Sequence, residues 1–183
     1  GKIQMSLVSP DIIEMINPRT LEKLNPITTV FQETVFSDLR SAGDCAQESG
    51  AHFESITNDI LSSCNTGRYY ITKEPRFNCH FDLPRKGDFQ LSNASRNIHI
   101  ECKQLGNAES HFDKLSHCLL NLISGCYGKK FWLVYDYNRE IGNKNKIHKL
   151  ITRCQEIKKQ VALQGITFEC IFIDDLPSHL RKV

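Results

Sequence analysis

Apolar and polar positions repeat along the chain with two different periods, and the switches between them predict the order of elements. In Ile98-His99-Ile100-Glu101-Cys102-Lys103 the apolar Ile98, Ile100 and Cys102 alternate with the polar His99, Glu101 and Lys103. That is the two-residue period of a strand with one face turned to a core. Asp88-Phe89-Gln90-Leu91 supplies another strand just upstream, separated from it by the turn-rich stretch Ser92 to Asn97. Tyr69 to Thr72, after the Asn65-Thr66-Gly67 turn, also has strand character. Phe131-Trp132-Leu133-Val134-Tyr135 is apolar throughout, as in a strand covered on both faces, and Ile166 to Ile173 reads as a last core strand ended by Asp174 to Pro177.

Helical spacing appears between these strands. Phe53, Ile56 and Ile60 make a stripe in 47–61, and Phe112, Leu115, Leu119, Leu122, Ile123 and Cys126 make one in 111–126. Ile147, Leu150, Ile151, Cys154, Ile157 and Val161 make a third in 144–164. Gly125 or Gly128 closes the second helix and Gly165 the third. Upstream, Asp11 to Ile16 and the pattern Val30, Phe31, Val35 and Leu39 suit short helices, punctuated by Asn-Pro pairs and broken at Ser41-Ala42-Gly43-Asp44. Glu74 to Pro84, bracketed by prolines, is harder to place.

This order predicts an α/β protein: a central mixed β-sheet of about five strands flanked by helices. It predicts an N-terminal helical extension over 1–46 and a single compact core over 47–183. If the two central strands close symmetrically about their turn, Leu91 lies opposite Ile98 and Asp88 opposite Glu101. Directly opposed residues have Cβ atoms roughly 4.5–5.5 Å apart. Two carboxylates that close repel unless a cation lies between them, and Lys103 follows on the same face. An Asp, a Glu and a Lys converging at one sheet edge suit a hard divalent metal and a polarised water.

Composition narrows the classes. With 183 residues, 40% hydrophobic and 24% charged, the chain can bury a proper core. A net charge of +2 means that any nucleic-acid surface must come from local clustering. No apolar run approaches the ~20 residues that span a bilayer, so no membrane partner is expected. The start of the chain lacks a secretory pattern, and the expected location is cytoplasmic. The eight cysteines include no CxxC and often occupy apolar periodic positions, which favours reduced, buried thiols over disulfides. A zinc set from Cys79, His80, His99 and Cys102 is disfavoured, because adjacent residues on a strand point in opposite directions. No phosphate-loop or dinucleotide glycine pattern and no internal repeat is present.

Asp88 followed across a hairpin by Glu101-Cys102-Lys103 resembles the PD-(D/E)xK nuclease superfamily, which includes many restriction endonucleases. Gly50-Ala51-His52-Phe53-Glu54 is similar to the Glu-bearing helix that opens its core. The resemblance covers roughly 47–175 and implies a restriction-endonuclease-like core. It implies that Asp88, Glu101 and the backbone carbonyl of Cys102 ligate Mg²⁺, with Mn²⁺ as a substitute, and that Lys103 positions the attacking water. Glu54 would hold a second metal or an outer water, and Gln104 would contact substrate. The implied activity is metal-dependent hydrolysis of phosphodiesters, with DNA the expected substrate and a restriction or defence role. The alternatives are an RNA-cleaving nuclease, or a non-catalytic module on the same fold that binds nucleic acid or protein. A homodimer, or tethering to further domains of a longer chain, is compatible with this.

Around that motif, Asp82 is a rival for Asp88, separated from the hairpin by Pro84 and Gly87. Pro10-Asp11 spells the superfamily's letters but reads as a helix start. Arg85 and Lys86, beside the motif, suit either contact with phosphate or a solvated loop, the commoner place for such charges. Lys114 and His117 fall on the polar side of their helix, the side ordinarily solvated.

Overall fold

The structure, a computed structural model, describes residues 42–65, 67–106, 109–137 and 144–183. The helices expected between Asp11 and Arg40 lie outside the described residues. Helix α1 spans Ala42–Cys64. Strands β1 (Tyr70–Lys73), β2 (Arg76–Asn78), β3 (Pro84–Lys86), β4 (Phe89–Ser92) and β5 (Asn97–Leu105) follow. Then come α2 (Glu109–Ile123), β6 (Lys130–Tyr137), α3 (Lys144–Ala162) and β7 (Thr167–Phe172). A 3-10 turn (Ile173–Asp175) and α4 (Leu176–Lys182) end the chain.

These elements fall into two compact units. One holds α1 with Phe172–Val183, and the other spans Gly67–Ile171. In the first, α1 buries Phe53, Ile56 and Ile60, the stripe that the spacing predicts. Ala42 to Asp44, expected as part of a break, are helical, since α1 begins at Ala42 and runs through Gly43. An isolated glycine costs a helix only about 1 kcal/mol, too little to end one. Helix α4, which touches α1, is also unforeseen. Pro177 reads as a stop from the strand side, yet it stands in the first turn of α4, where a missing N–H costs nothing.

In the second unit a five-stranded sheet runs in the order β1-β4-β5-β6-β7. Strands β1 and β4, and β4 and β5, pair antiparallel, whereas β5 and β6 pair parallel across the α2 connection. Leu91 stands opposite Ile98, as symmetric closure of the turn predicts. Phe131 to Asp136 of β6 are all buried, which accounts for that strand's continuous apolar run. After α3 the Ile166 amide donates to the Val161 carbonyl at 3.1 Å across Gly165, whose φ of 79° suits glycine. Lys158 of α3 donates to Glu169 of β7 at 2.8 Å.

Glu74 to Pro84, which carries no clear period, is part of a ribbon. The β1–β4 pairing ends at Lys73 opposite Phe89, and the β2–β3 pairing resumes in the same register with Arg76 opposite Lys86. Between them the Glu74 amide donates to the Asp88 carbonyl at 3.0 Å and the Gly87 amide to the Pro75 carbonyl at 2.7 Å. The ribbon therefore leaves the sheet at Asp88 and continues as an arm with its turn at Cys79 to Leu83. Phe77 of the arm lies against the His99 ring of β5 (centroids 5.3 Å) and against Tyr127 (5.1 Å). The arm is thus folded back over the polar face of β5. Alternation alone predicts that face to be wet, yet His99 and Glu101 are each only 6% exposed.

Candidate active site

Asp88 and Glu101 meet where the ribbon parts from the sheet. The ladder between β4 and β5 closes at Phe89 opposite Ile100, so the next pair along is Asp88 and Glu101. Each carboxylate accepts a hydrogen bond from the other strand's backbone. The Asp88 amide donates to Glu101 Oε2 at 2.8 Å, and the Cys102 amide donates to Asp88 Oδ2 at 2.7 Å. With its carbonyl accepting from Glu74, Asp88 is held through main chain and side chain together. Charge-assisted bonds to backbone amides are among the stronger ones, and they orient both carboxylates without a metal.

In a strand a residue's N–H and C=O lie along the same edge. The Cys102 carbonyl is therefore on the Asp88 side, as its amide is. Two carboxylates and a carbonyl make a set of hard oxygen donors that fits Mg²⁺. Among the described residues no three His, Cys, Asp or Glu side chains gather into a metal-ligating group. Asp88 and Glu101 would then supply two side-chain ligands, and water would complete an octahedron.

Lys103 follows on the same face, half-buried. Burial works against its ammonium, but the negative fields of Cys118, Glu101 and Asp88 outweigh burial and raise its pKa above the ordinary 10.5. The Cys118 thiol is itself pushed up to about 12 by burial, so at neutral pH the carboxylates provide the field. The Tyr127 hydroxyl is likewise driven upward by burial and stays neutral. His99 brings Nε2 to 3.5 Å from Glu101 Oε2, beyond good hydrogen-bond distance, and its ring stacks on Tyr127 with centroids 4.4 Å apart.

Gly87 is where the backbone passes this ring. A Cβ there would lie 2.5 Å from His99 Cε1 and 2.7 Å from its Nε2. The ring is enclosed by Phe77 and Tyr127 and cannot swing away. Gly87→Ala is expected to lower stability by about 1–3 kcal/mol in urea unfolding. A variant as stable as the parent would show that this contact yields without cost.

Glu101 and Lys103 open onto a cavity of about 390 Å³. The arm contributes Phe77, His80, Phe81, Arg85 and Lys86 to its lining. From α2 come Lys114, His117, Cys118 and Asn121, and Tyr127 follows from the turn after it. Aromatic rings line much of the cavity around Glu101 and Lys103, while Arg85, Lys86 and Lys114 place positive charge at exposed positions. Lys86 also has Glu74 Oε2 at 3.7 Å.

The structure thus groups Asp88, Glu101, Cys102 and Lys103, and brings Arg85 and Lys86 to the cavity that Glu101 and Lys103 line. Gln104 is on the other face of β5 and outside the cavity lining. Glu54 is an exposed residue of α1, in the other compact unit. Asp82 stands exposed in the turn of the arm, with φ at 58°. Seven described cysteines carry no disulfide, and five of them are buried. His80, Asn121, Tyr127, Lys114 and His117 are cavity residues that the sequence pattern did not single out as a site. The α2 periodicity marks Lys114 and His117 only as polar.

No protein-family model matches the chain, and no curated protein matches it. Among solved structures it is similar to the crystal structure of a protein of unknown function, AF1548, at 13% identity and a TM-score of 0.33. The match covers 64% of this chain and 55% of that one. No helix among the described residues is long and apolar enough to cross a membrane.

Proposed function

We propose that the chain is a metal-dependent nuclease of the PD-(D/E)xK kind that hydrolyses phosphodiester bonds, with DNA as substrate and an endonucleolytic cut. The observation that carries this reading is the reciprocal clasp of Asp88 and Glu101 with Lys103 beside them, Glu101 and Lys103 lining a cavity with a cationic rim. Phosphodiesters resist attack because their charge repels nucleophiles, so a catalyst must neutralise charge and present water in line. A bound Mg²⁺ or Mn²⁺ would supply that neutralisation and acidify a water. Asp88, Glu101 and the Cys102 carbonyl are the groups that would hold it. Lys103, kept as an ammonium, orients water and offsets charge on the phosphoryl oxygens, and Arg85 and Lys86 draw in the flanking backbone.

The test is incubation with supercoiled plasmid, single-stranded DNA and RNA, each in Mg²⁺, Mn²⁺ and EDTA. Cleavage with metal and none in EDTA is the expected result, with DNA cut faster than RNA. No cleavage of any substrate with either metal overturns the proposal. One observation favours a second reading, a non-catalytic binding module: each carboxylate already has a backbone partner and a structural task. Calorimetric titration separates the two, since the module binds no divalent metal at Asp88 and Glu101.

A further inference from the structure

The cavity has a side that hydrolysis at Asp88 and Glu101 does not require. Three rings follow one another along it: Phe81 and His80 with centroids 4.2 Å apart, then His80 and His117 at 5.2 Å. His80 is fixed in place by Asn121, whose Oδ1 accepts from the His80 backbone amide at 3.0 Å and meets His80 Nδ1 at 2.7 Å. An atom that accepts from an amide is the oxygen, so Nδ1 carries a proton and donates. Asn121, buried, in turn donates to Tyr127 Oη at 3.3 Å. The wall is therefore built from inside the fold. Phe81 at its outer end is 69% exposed, too open to owe its place to the core.

Arg85, Lys86 and Lys114 line the same cavity. Aromatic faces beside fixed cations form the chemistry that binds unpaired nucleotides: bases stack on rings while the backbone follows the charge. In a duplex the base faces are covered by their neighbours, and a base can lay its face on a protein ring only after leaving the stack. A volume of about 390 Å³ lies in the range of small-ligand pockets.

We propose that this cavity receives one unpaired nucleotide of the substrate, its base against the Phe81–His80 wall and its phosphate toward Arg85, Lys86 and Lys114. The substrate class is then single-stranded or locally unpaired nucleic acid. This rests on the nuclease reading for the position of the scissile bond, which would lie at Glu101 and Lys103, whereas base stacking itself needs neither metal nor cleavage.

The test is binding in EDTA of an oligonucleotide carrying 2-aminopurine, single-stranded and annealed to its complement. The single strand is expected to bind at least about tenfold more tightly than the duplex, with its fluorescence quenched by stacking. Phe81→Ala, at an exposed position that leaves folding intact by circular dichroism, is expected to weaken single-strand binding about tenfold and remove the quench. Phe81→Tyr is expected to keep both. Equal or tighter duplex binding, or a Phe81→Ala variant that binds and quenches as the parent does, overturns the proposal. Cleavage of plasmid duplex alongside such a result leaves the nuclease reading standing. Quenched binding without cleavage of any substrate does the reverse.

Discussion

Asp88→Asn is expected to cut the metal-dependent cleavage rate about a thousandfold or more while leaving the fold in place. Asparagine keeps an oxygen to accept the Cys102 amide, now 2.7 Å from Asp88 Oδ2, and the amide sets its orientation. The junction between arm and sheet then survives, and only the negative charge is lost. A site that depends on that charge to hold a divalent cation loses the charge neutralisation that supplies most of the rate. Single-turnover cleavage at saturating Mg²⁺, beside a thermal melt, measures both sides. A variant that melts like the parent and cleaves within tenfold of it would remove Asp88 from the chemistry.

Lys103→Ala is the second large effect, a loss of about a hundredfold to a thousandfold. Its pH dependence separates two roles. Burial disfavours the ammonium, but the surrounding negative groups, of which Glu101 and Asp88 carry charge at neutral pH, raise its pKa, so the folded protein holds the proton more tightly than the unfolded chain. The resulting stability is fully present below the ordinary value of 10.5 and is lost as pH rises through the higher folded value. At neutral pH Lys103 is therefore a cation, unsuited to act as a free base. Two results follow. In the metal-free protein Lys103 keeps its proton at neutral pH, and Lys103→Arg, permanently charged, recovers part of what Lys103→Ala loses. An arginine variant as inactive as the alanine one, with a wild-type rate climbing toward pH 10, would make Lys103 a base instead.

The hairpin was legible because its register depends on local pattern alone. Alternation fixes which face each residue takes, and the turn from Ser92 to Asn97 leaves one symmetric way to close it, with Leu91 opposite Ile98. The central strand β6 and the glycine stop at Gly165 were legible for similar local reasons. The arm was not. Its strands Arg76–Asn78 and Pro84–Lys86 are too short for a period, and they pair by continuing a register set in β1 and β4. The site's surroundings were hidden for the same reason. Glu101 and His99 look solvent-facing in the pattern, and only the return of Phe77 and Tyr127 over β5 buries them. Asn121, on an apolar helix face, is intelligible only once His80 is known to lie against it.

Burial also changes what the Asp–Glu pair implies. On an open sheet edge, two carboxylates would rely on a metal to hold them together. Here the backbone amides of Asp88 and Cys102 orient them in advance, so cation binding would cost little rearrangement. The same clasp explains how a structural role for the pair would look, and it makes direct location of a metal the decisive observation.

That observation is anomalous scattering from a crystal soaked in Mn²⁺. A peak is expected within about 2.0–2.3 Å of carboxylate oxygens from both Asp88 and Glu101, with the Cys102 carbonyl as a further ligand. No such peak is expected in Asp88→Asn. A soaked crystal with no peak at this pair, or with Mn²⁺ bound only elsewhere, would contradict the proposed metal site.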